Sequence, residues 1–304
     1  MTKSKFLVAA ALLAAMSAHA REDLVQIHGV VVGKQVLSTP KAGETVADYG
    51  FSERGRGDQL HARWTLDKAG LPLSYEMQGN DYWKVPITES FKVADGKATW
   101  KNRVESGSVD WAPAFYLPAN APPEFMGVLA RALLKAKGQR LALLPAGEAW
   151  LERGPSVVDA KKRKLTMYRI SGMDFTPVPV WLDEQGNTAG VVDDWFEVLE
   201  AAAKPVLAKL QAAQGEADQA WSARLAKAQT HVPKGDLLIR HAKLFDPRDL
   251  SVSDNMRVLV RTGHIVRVEA DDKAPAPADA EVIDAGALSS ARSEEHTSEL
   301  QSQR

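Results

Sequence analysis

Residues 59–66, Gln-Leu-His-Ala-Arg-Trp-Thr-Leu, alternate in polarity: Leu60, Ala62, Trp64 and Leu66 fall on one side, His61, Arg63 and Thr65 on the other. A period of two excludes a helix, whose same-face positions recur every three or four residues, and commits the segment to a strand with one face on a core. The theme continues through residues 71–77, 87–93 and 97–104, separated by the turn signals Asp67-Lys68-Ala69-Gly70, Gly79-Asn80-Asp81 and Asp95-Gly96. This spacing predicts an antiparallel meander. The fold class that follows is mainly β with α insertions.

Later segments punctuate that pattern. Pro122 and Pro123 precede residues 124–136, where Phe125, Val128, Leu129, Ala132 and Leu133 fit one helical face and Gly138 provides a stop. Strands are expected over 141–144 and 164–170, and residues 175–182 can pair with 188–192 across the turn at 183–187. Pro177 and Pro179 favour an edge position for the first of these. Residues 192–229 read as one long polar-faced helix, or two broken near Lys204-Pro205 or Gly215, with Ala201, Ala202, Ala203, Leu207, Leu210 and Ala213 suited to packing on a protein surface. A membrane-surface helix is the weaker alternative, because the apolar side is small and basic residues do not dominate one face. A second β unit follows at 236–244, 255–260, 264–268 and 281–286, with a hairpin across Arg261-Thr262-Gly263. The expected organisation is a β-rich N-terminal domain over 21–194, a helical connector over 195–232 and a partial β subdomain over 233–290.

Composition narrows the function. With 38 Lys+Arg against 39 Asp+Glu, the formal net charge is -1, and this removes the electrostatic case for a general nucleic-acid binder. A hydrophobic content of 45% with 25% charged residues is that of a globular chain. No cysteine is present, so disulfides, zinc-thiolate sites and a cysteine nucleophile are excluded, and any metal must be held by His, Asp, Glu, backbone or water. Residues 1–20 have the order of a secretory signal: Lys3 and Lys5, an apolar run over 6–16, then Ala18-His19-Ala20. Export to the periplasm or medium is expected, with a mature start at Arg21 and no lipid-anchoring cysteine. No other segment approaches the roughly 20 apolar residues of a transmembrane helix.

Candidate chemistry is sparse. His28, His61, His231, His241, His264 and His296 form neither His-x-His nor His-Glu-x-x-His. Adjacent carboxylates at Asp193-Asp194 and Asp271-Asp272 do not share a face on a strand or helix, and Asp193 or Asp194 is better suited to capping the following helix. Ser52, Ser106 and Ser108 lack a nucleophile elbow, and Gly55-Arg56-Gly57 lacks the rest of a phosphate loop. Trp64, Tyr75, Tyr82, Trp83, Trp100, Trp111, Phe115 and Tyr116 crowd a short stretch. They can fill a β core, line a groove for carbohydrate, peptide or apolar ligand, or mediate protein association. No catalytic, cofactor-binding or metal-ligating residue is assigned.

The segments Asp236-Leu-Leu-Ile-Arg-His-Ala-Lys-Leu-Phe-Asp246, Asn255 to Val268 and Glu281-Val-Ile-Asp-Ala-Gly286 resemble the small β subdomain at the start of the amidohydrolase superfamily of metal-dependent hydrolases. That resemblance implies an intact parent with a TIM-like catalytic barrel holding a divalent metal, zinc, in part through a His-x-His pair. Such a parent would hydrolyse the amide or other non-ester C-N bond of a small amide or peptide substrate, its metal activating water. The present chain lacks that barrel and would be inactive as a fragment, without a cofactor of its own. Residues 292–302 resemble a translated sequencing adapter, which makes 291–304 an artefactual tail. The competing expectation is an exported β-rich ligand-binding or envelope accessory protein, with the aromatic N-terminal domain as its working part. Oligomeric state is left open.

Overall fold

The computed structural model describes residues 20–193, 195–272 and 274–287. The expected leader apart from Ala20, Asp194, and the tail with His296 and the adapter-like segment lie outside the described residues. The chain divides between Ser222 and Ala223 into two compact units.

The first unit is built on one sheet of fifteen strands: β1 (Arg21–Ile27), β2 (Val30–Lys41), β3 (Glu44–Phe51), β4 (Gln59–Leu66), β5 (Pro72–Asn80), β6 (Pro86–Ala94), β7 (Lys97–Lys101), β8 (Ser106–Asp110), β9 (Phe115–Tyr116), β10 (Arg140–Leu144), β11 (Glu148–Val158), β12 (Lys164–Ser171), β13 (Val178–Leu182), β14 (Thr188–Val192) and β15 (Phe196–Glu200). Their spatial order is β8-β7-β6-β5-β4-β3-β2-β1-β15-β14-β13-β12-β11-β10-β9. Apart from the β1–β15 junction, every strand lies beside a sequence neighbour. The two edge strands do not pair with each other, so the sheet is open rather than a closed barrel.

Helix α1 (Glu124–Lys135) sits inside the curl of this sheet. Its Phe125 packs edge-on against Trp64 of β4 and Tyr75 of β5, with ring centroids 5.3 and 5.0 Å away. From a later turn of the same helix Arg131 donates to the Gly186 carbonyl and to Thr188 Oγ1 on β14. Strands from both halves of the sheet therefore contact one helix. Burial of Phe125, Val128, Leu129 and Leu133 supplies the driving force, about 1.5–3 kcal/mol for each large side chain.

Helix α2 (Leu207–Gln229) covers the other face of β12 to β15. Leu165, Met167, Trp181 and Leu199 form a second core with Ala203, Val206 and Leu210. Covered on both faces, β13 reads as a continuous apolar run: Val180 and Leu182 turn toward the first core, Trp181 toward the second. Gln214 ties the helix down by accepting from Trp181 Nε1 at 3.1 Å and donating to the Val192 carbonyl at 2.8 Å.

Two expectations need correction here. The helix read over 192–229 begins only at Leu207, because residues 196–200 form β15, clamped between β1 and β14, and a 3-10 turn at Ala201–Val206 intervenes. The strand expected at an edge because of Pro177 and Pro179 lies inside the sheet. Its β14 ladder covers only Val180 to Leu182, so Pro179 is paired on one side, with Arg169.

The second unit holds a four-stranded sheet, β16 (Leu237–Asp246), β17 (Ser251–Arg261), β18 (His264–Ala270) and β19 (Glu281–Asp284), in the order β18-β17-β16-β19, with β19 parallel to β16. Thr262 and Gly263 both have positive φ, 48° and 78°, as a two-residue hairpin turn requires. Buried Asp271 is held by Arg240 through two hydrogen bonds of 2.9 and 2.5 Å.

Candidate functional site

The inside of the curl is occupied. Besides α1 and its aromatic neighbours, buried Asp23 accepts from Arg21 and Gln35, Gln35 Oε1 accepts from the Glu124 N–H, and Arg131 donates to Glu124 Oε1 at 2.6 Å. Burial pushes the Asp23 carboxyl above its usual range, and Arg21 and Gln35 pull only part of the way back. Glu89, on β6, accepts from Tyr116 Oη and from the backbone N–H groups of Ala119 and Asn120 at 2.7, 2.9 and 3.1 Å. These are structural anchors: each ties the α1 connection to a strand.

In an antiparallel meander, turns alternate between two ends of the sheet, and the pairing of Ile27 with Phe196 aligns the two halves. Residues 28–29, 52–58, 81–85, 102–105, 172–177 and 193–195 consequently share one end, and 42–43, 67–71, 95–96, 159–163 and 183–187 share the other. The two ends differ in chemistry. Turns of the second present Lys68, Asp95, Lys161, Lys162, Glu184 and Gln185 to solvent. Those of the first present Trp83 (65% exposed), Val104 (85%), Phe175 (88%) and Trp195 (42%), with Val85, Val30 and Val31 beside them.

Behind these tips runs a continuous line of rings. Trp195 meets Phe196 at 6.0 Å, Phe196 meets Phe51 at 5.3 Å, Phe51 meets Tyr82 at 6.3 Å and Tyr82 meets Trp83 at 5.4 Å, centroid to centroid. Phe51 closes β3 and Phe196 opens β15, so the line crosses the mouth of the curl. The Arg56 guanidinium lies 4.4 Å above the Trp83 ring.

Each apolar tip stands in a turn whose Asp or Asn side chain accepts the tip's own N–H group. Asp81 Oδ1 accepts the N–H groups of Trp83 and Val85 at 3.0 and 2.9 Å. Asn102 Oδ1 accepts those of Val104 and Glu105, Asp174 Oδ1 that of Phe175, and Asp193 Oδ1 those of Trp195 and Phe196. Asp193 thus caps a turn into a strand, where the sequence suggested a helix cap. Two ion pairs lie on the rim, Arg103 with Asp81 at 3.3 Å and Arg54 with Glu53 at 3.2 Å, and Lys84 is exposed beside Trp83. Asp58, behind the rim, is raised by burial and by the nearby Asp81 charge.

The aromatic residues singled out in sequence separate into two groups. Trp64, Tyr75, Phe115 and Tyr116 are core, Trp100 and Trp111 pack against it, and Tyr82 and Trp83 belong to the rim. Trp195, Phe196 and Phe175 escaped notice, the first two because their segment read as helix; the signal that marks them is an Asp immediately before an aromatic in a turn. The histidines are dispersed: His61 pairs with Asp48 at 2.7 Å on the outer face of β4, His231 with Glu281 at 2.7 Å, and His241 with Asp284 at 2.9 Å, while His28 lies on the rim and His264 opens β18. Ser52 and Gly55-Arg56-Gly57 belong to the β3–β4 turn, and Ser106 and Ser108 to β8.

Hollows also lie on the outer surfaces, two of them sizeable. One of about 690 Å³ on β2 to β6 is lined by solvated side chains such as Lys34, Asp48, Gln59, His61 and Thr88. The other, about 490 Å³, lies under α2, where Arg169 is already held by Asp218 and lies 5.8 Å from the Trp221 ring.

The amidohydrolase resemblance is corrected on these findings. Among the described residues, no three His, Cys, Asp or Glu side chains converge to hold a metal ion, and the strands form an open sheet, antiparallel except for the β9–β10 pair, and a second, four-stranded sheet rather than a barrel of alternating strands and helices. The zinc site, the hydrolase reading and the amide or peptide substrate fall with it, since local β-hairpin pattern alone carried them. No helix among the described residues is long and apolar enough to cross a membrane. No family model matches the chain, and no curated protein does. Among solved structures, the chain is similar to a beta-barrel-like protein of the domain of unknown function DUF1849 from Brucella abortus, with 15% identity, TM-score 0.39, and coverage of 60% of this chain and 94% of that one. It is also similar to a DUF1089 family protein from Pseudomonas aeruginosa, with 14% identity, TM-score 0.31, and coverage of 62% and 97%.

Proposed function

We propose that this chain is an exported β-rich accessory protein of the cell envelope that works by binding, and that the aromatic-tipped rim of its first unit is the binding surface. The observation that carries this reading is the asymmetry between the two ends of one sheet. Turns at both ends present charged side chains, but only those at one end add exposed Trp83, Phe175 and Trp195, with Val104. Exposed apolar side chains clustered on one surface mark interaction sites in soluble proteins.

A photoreactive side chain placed at position 83 or 195 tests this in intact cells, with position 185 at the opposite end as reference. Cross-linked adducts at the rim well above those at position 185 are the expected result. Equal yields at the two ends overturn the reading.

A further inference from the structure

We infer that the partner of the rim is the interfacial layer of a lipid bilayer, entered by the turn tips with Trp83, Val104, Phe175 and Trp195 leading. This rests on the binding role proposed for that rim and names its occupant.

Three features separate a bilayer from other occupants. First, the apolar side chains stand one to a turn, on turns contributed by β5–β6, β7–β8, β12–β13 and β14–β15. Such a set of separate prongs forms no groove for an extended peptide or an acyl chain, whereas a soft, laterally fluid medium accommodates each prong independently.

Second, the N–H groups of the apolar tip residues are already satisfied. Entry into a medium without hydrogen-bonding partners is opposed chiefly by exposed N–H and C=O groups. Here the N–H groups of Trp83, Val85, Val104, Phe175 and Trp195 all donate to an Asp or Asn side chain at the base of their own turn. A partner that adds a strand would need those donors free.

Third, the residue types and charges match an interface. Trp and Tyr combine an apolar body with a polar edge and concentrate at the headgroup level. Arg103 is offset by Asp81 and Arg54 by Glu53, and the other rim cations, Arg56 and Lys84, share these turns with Asp58, Glu105, Asp174 and Asp193, so the rim carries no net basic charge that would select an anionic surface. The surface that fits is a zwitterionic one, approached through apolar insertion rather than charge.

The test uses the full mature chain with vesicles of phosphatidylcholine and phosphatidylethanolamine, read by flotation and by quenching of tryptophan fluorescence with lipids brominated on the acyl chains. The wild type is expected to float with these vesicles, with little response to added salt. Trp83→Ser/Phe175→Ser/Trp195→Ser is expected to lower partitioning by about tenfold or more, while Lys161→Ser/Glu184→Ser at the far end leaves it unchanged. A second variant guards against misfolding: Trp83→Phe/Trp195→Phe should keep the partitioning and lose most of the bromine quenching.

Failure to float, alongside strong rim cross-links to a component other than lipid, overturns the bilayer and leaves the binding role standing. Absence of both overturns both. Flotation that requires anionic lipid, is abolished by salt and is indifferent to the triple variant also refutes the inference.

Discussion

Replacing Gly127 by alanine should destabilise the protein, against the usual sign for a helix. Gly127 lies in the interior of α1, where alanine ordinarily gains about 1 kcal/mol over glycine. A Cβ at this position would stand 1.9 Å from Thr188 Oγ1 and 3.1 Å from Arg131 Nη1. Thr188 is 3% exposed on β14, and its hydroxyl accepts from Arg131 at 3.0 Å. If the hydroxyl rotates away, a hydrogen bond to a charged group is lost, about 1.5–3 kcal/mol. If instead the helix backs off, overpacking strain costs about 1–3 kcal/mol. Set against the propensity gain, the net loss is about 0.5–2 kcal/mol if the hydrogen bond is lost, with a fall in Tm of roughly 2–4 °C for each kcal/mol. Urea denaturation of wild type, Gly127→Ala, Thr188→Ala and the double variant measures it. In the double variant the offending oxygen is gone, so its stability should exceed the sum of the single effects, by about 0.5–3 kcal/mol. If Gly127→Ala proves as stable as wild type, α1 does not press on β14 as described, and the picture of a helix filling the curl fails with it.

Glu197, 2% exposed on β15, has its carboxyl raised first by burial, and its Oε2 has no partner. A raised folded-state value means that its contribution is fully present below the unfolded value and is lost as pH climbs through the folded one. Glu197→Gln should therefore raise Tm at neutral pH, and this advantage should vanish as the pH falls below the ordinary glutamate range; an equal gain at both pH values counts against the assignment. Glu89→Ala strips three donors of one acceptor, Tyr116 Oη and the Ala119 and Asn120 N–H groups. A loss of about 1–3 kcal/mol is expected for each donor left buried and unpaired, with faster amide exchange at 119 and 120, and Glu89→Gln should lose clearly less; indistinguishable variants would show that the carboxylate is not the anchor.

Sequence pattern made part of this architecture legible. Where one strand face meets a core and the other meets water, as in β4 to β7, alternation is clean and the strands were placed to within a few residues. The same holds for α1, bounded by prolines, and for the hairpin at Thr262-Gly263. The strands that escaped are those whose polar residues point inward or lie under a helix. In β1 both Asp23 and Gln26 are 1% exposed, so polarity there carries no information about which face is solvated. Phe196, Leu199 and Ala203 keep a helical spacing, yet pairing of β15 with β1 and β14 overrides it, a contest between local propensity and tertiary context that the sequence alone does not decide.

The rim was half visible for a related reason. Tyr82 and Trp83 stood out in an aromatic-rich stretch, but the line Phe51–Phe196 joins strands far apart in sequence. The amidohydrolase resemblance failed on the opposite side of the same limit: short hairpins recur in unrelated settings, and their order alone could not supply a metal site.

Strand order in the first unit also governs how the chain can reach this state. Fourteen neighbouring pairs make the sheet, and all but β1–β15 join strands adjacent in sequence. Most ladders can thus zip from a local turn; the exceptions are the parallel β9–β10 pair, whose connection runs through α1, and the junction where residues 21–27 find residues 196–200, which closes the longest loop. The sheet's two free edges, β8 and β9, are separated in the chain only by residues 111–114. Assembly can proceed outward from that short link through both arms, so that the N-terminal strand, first to be synthesised, is among the last to be locked.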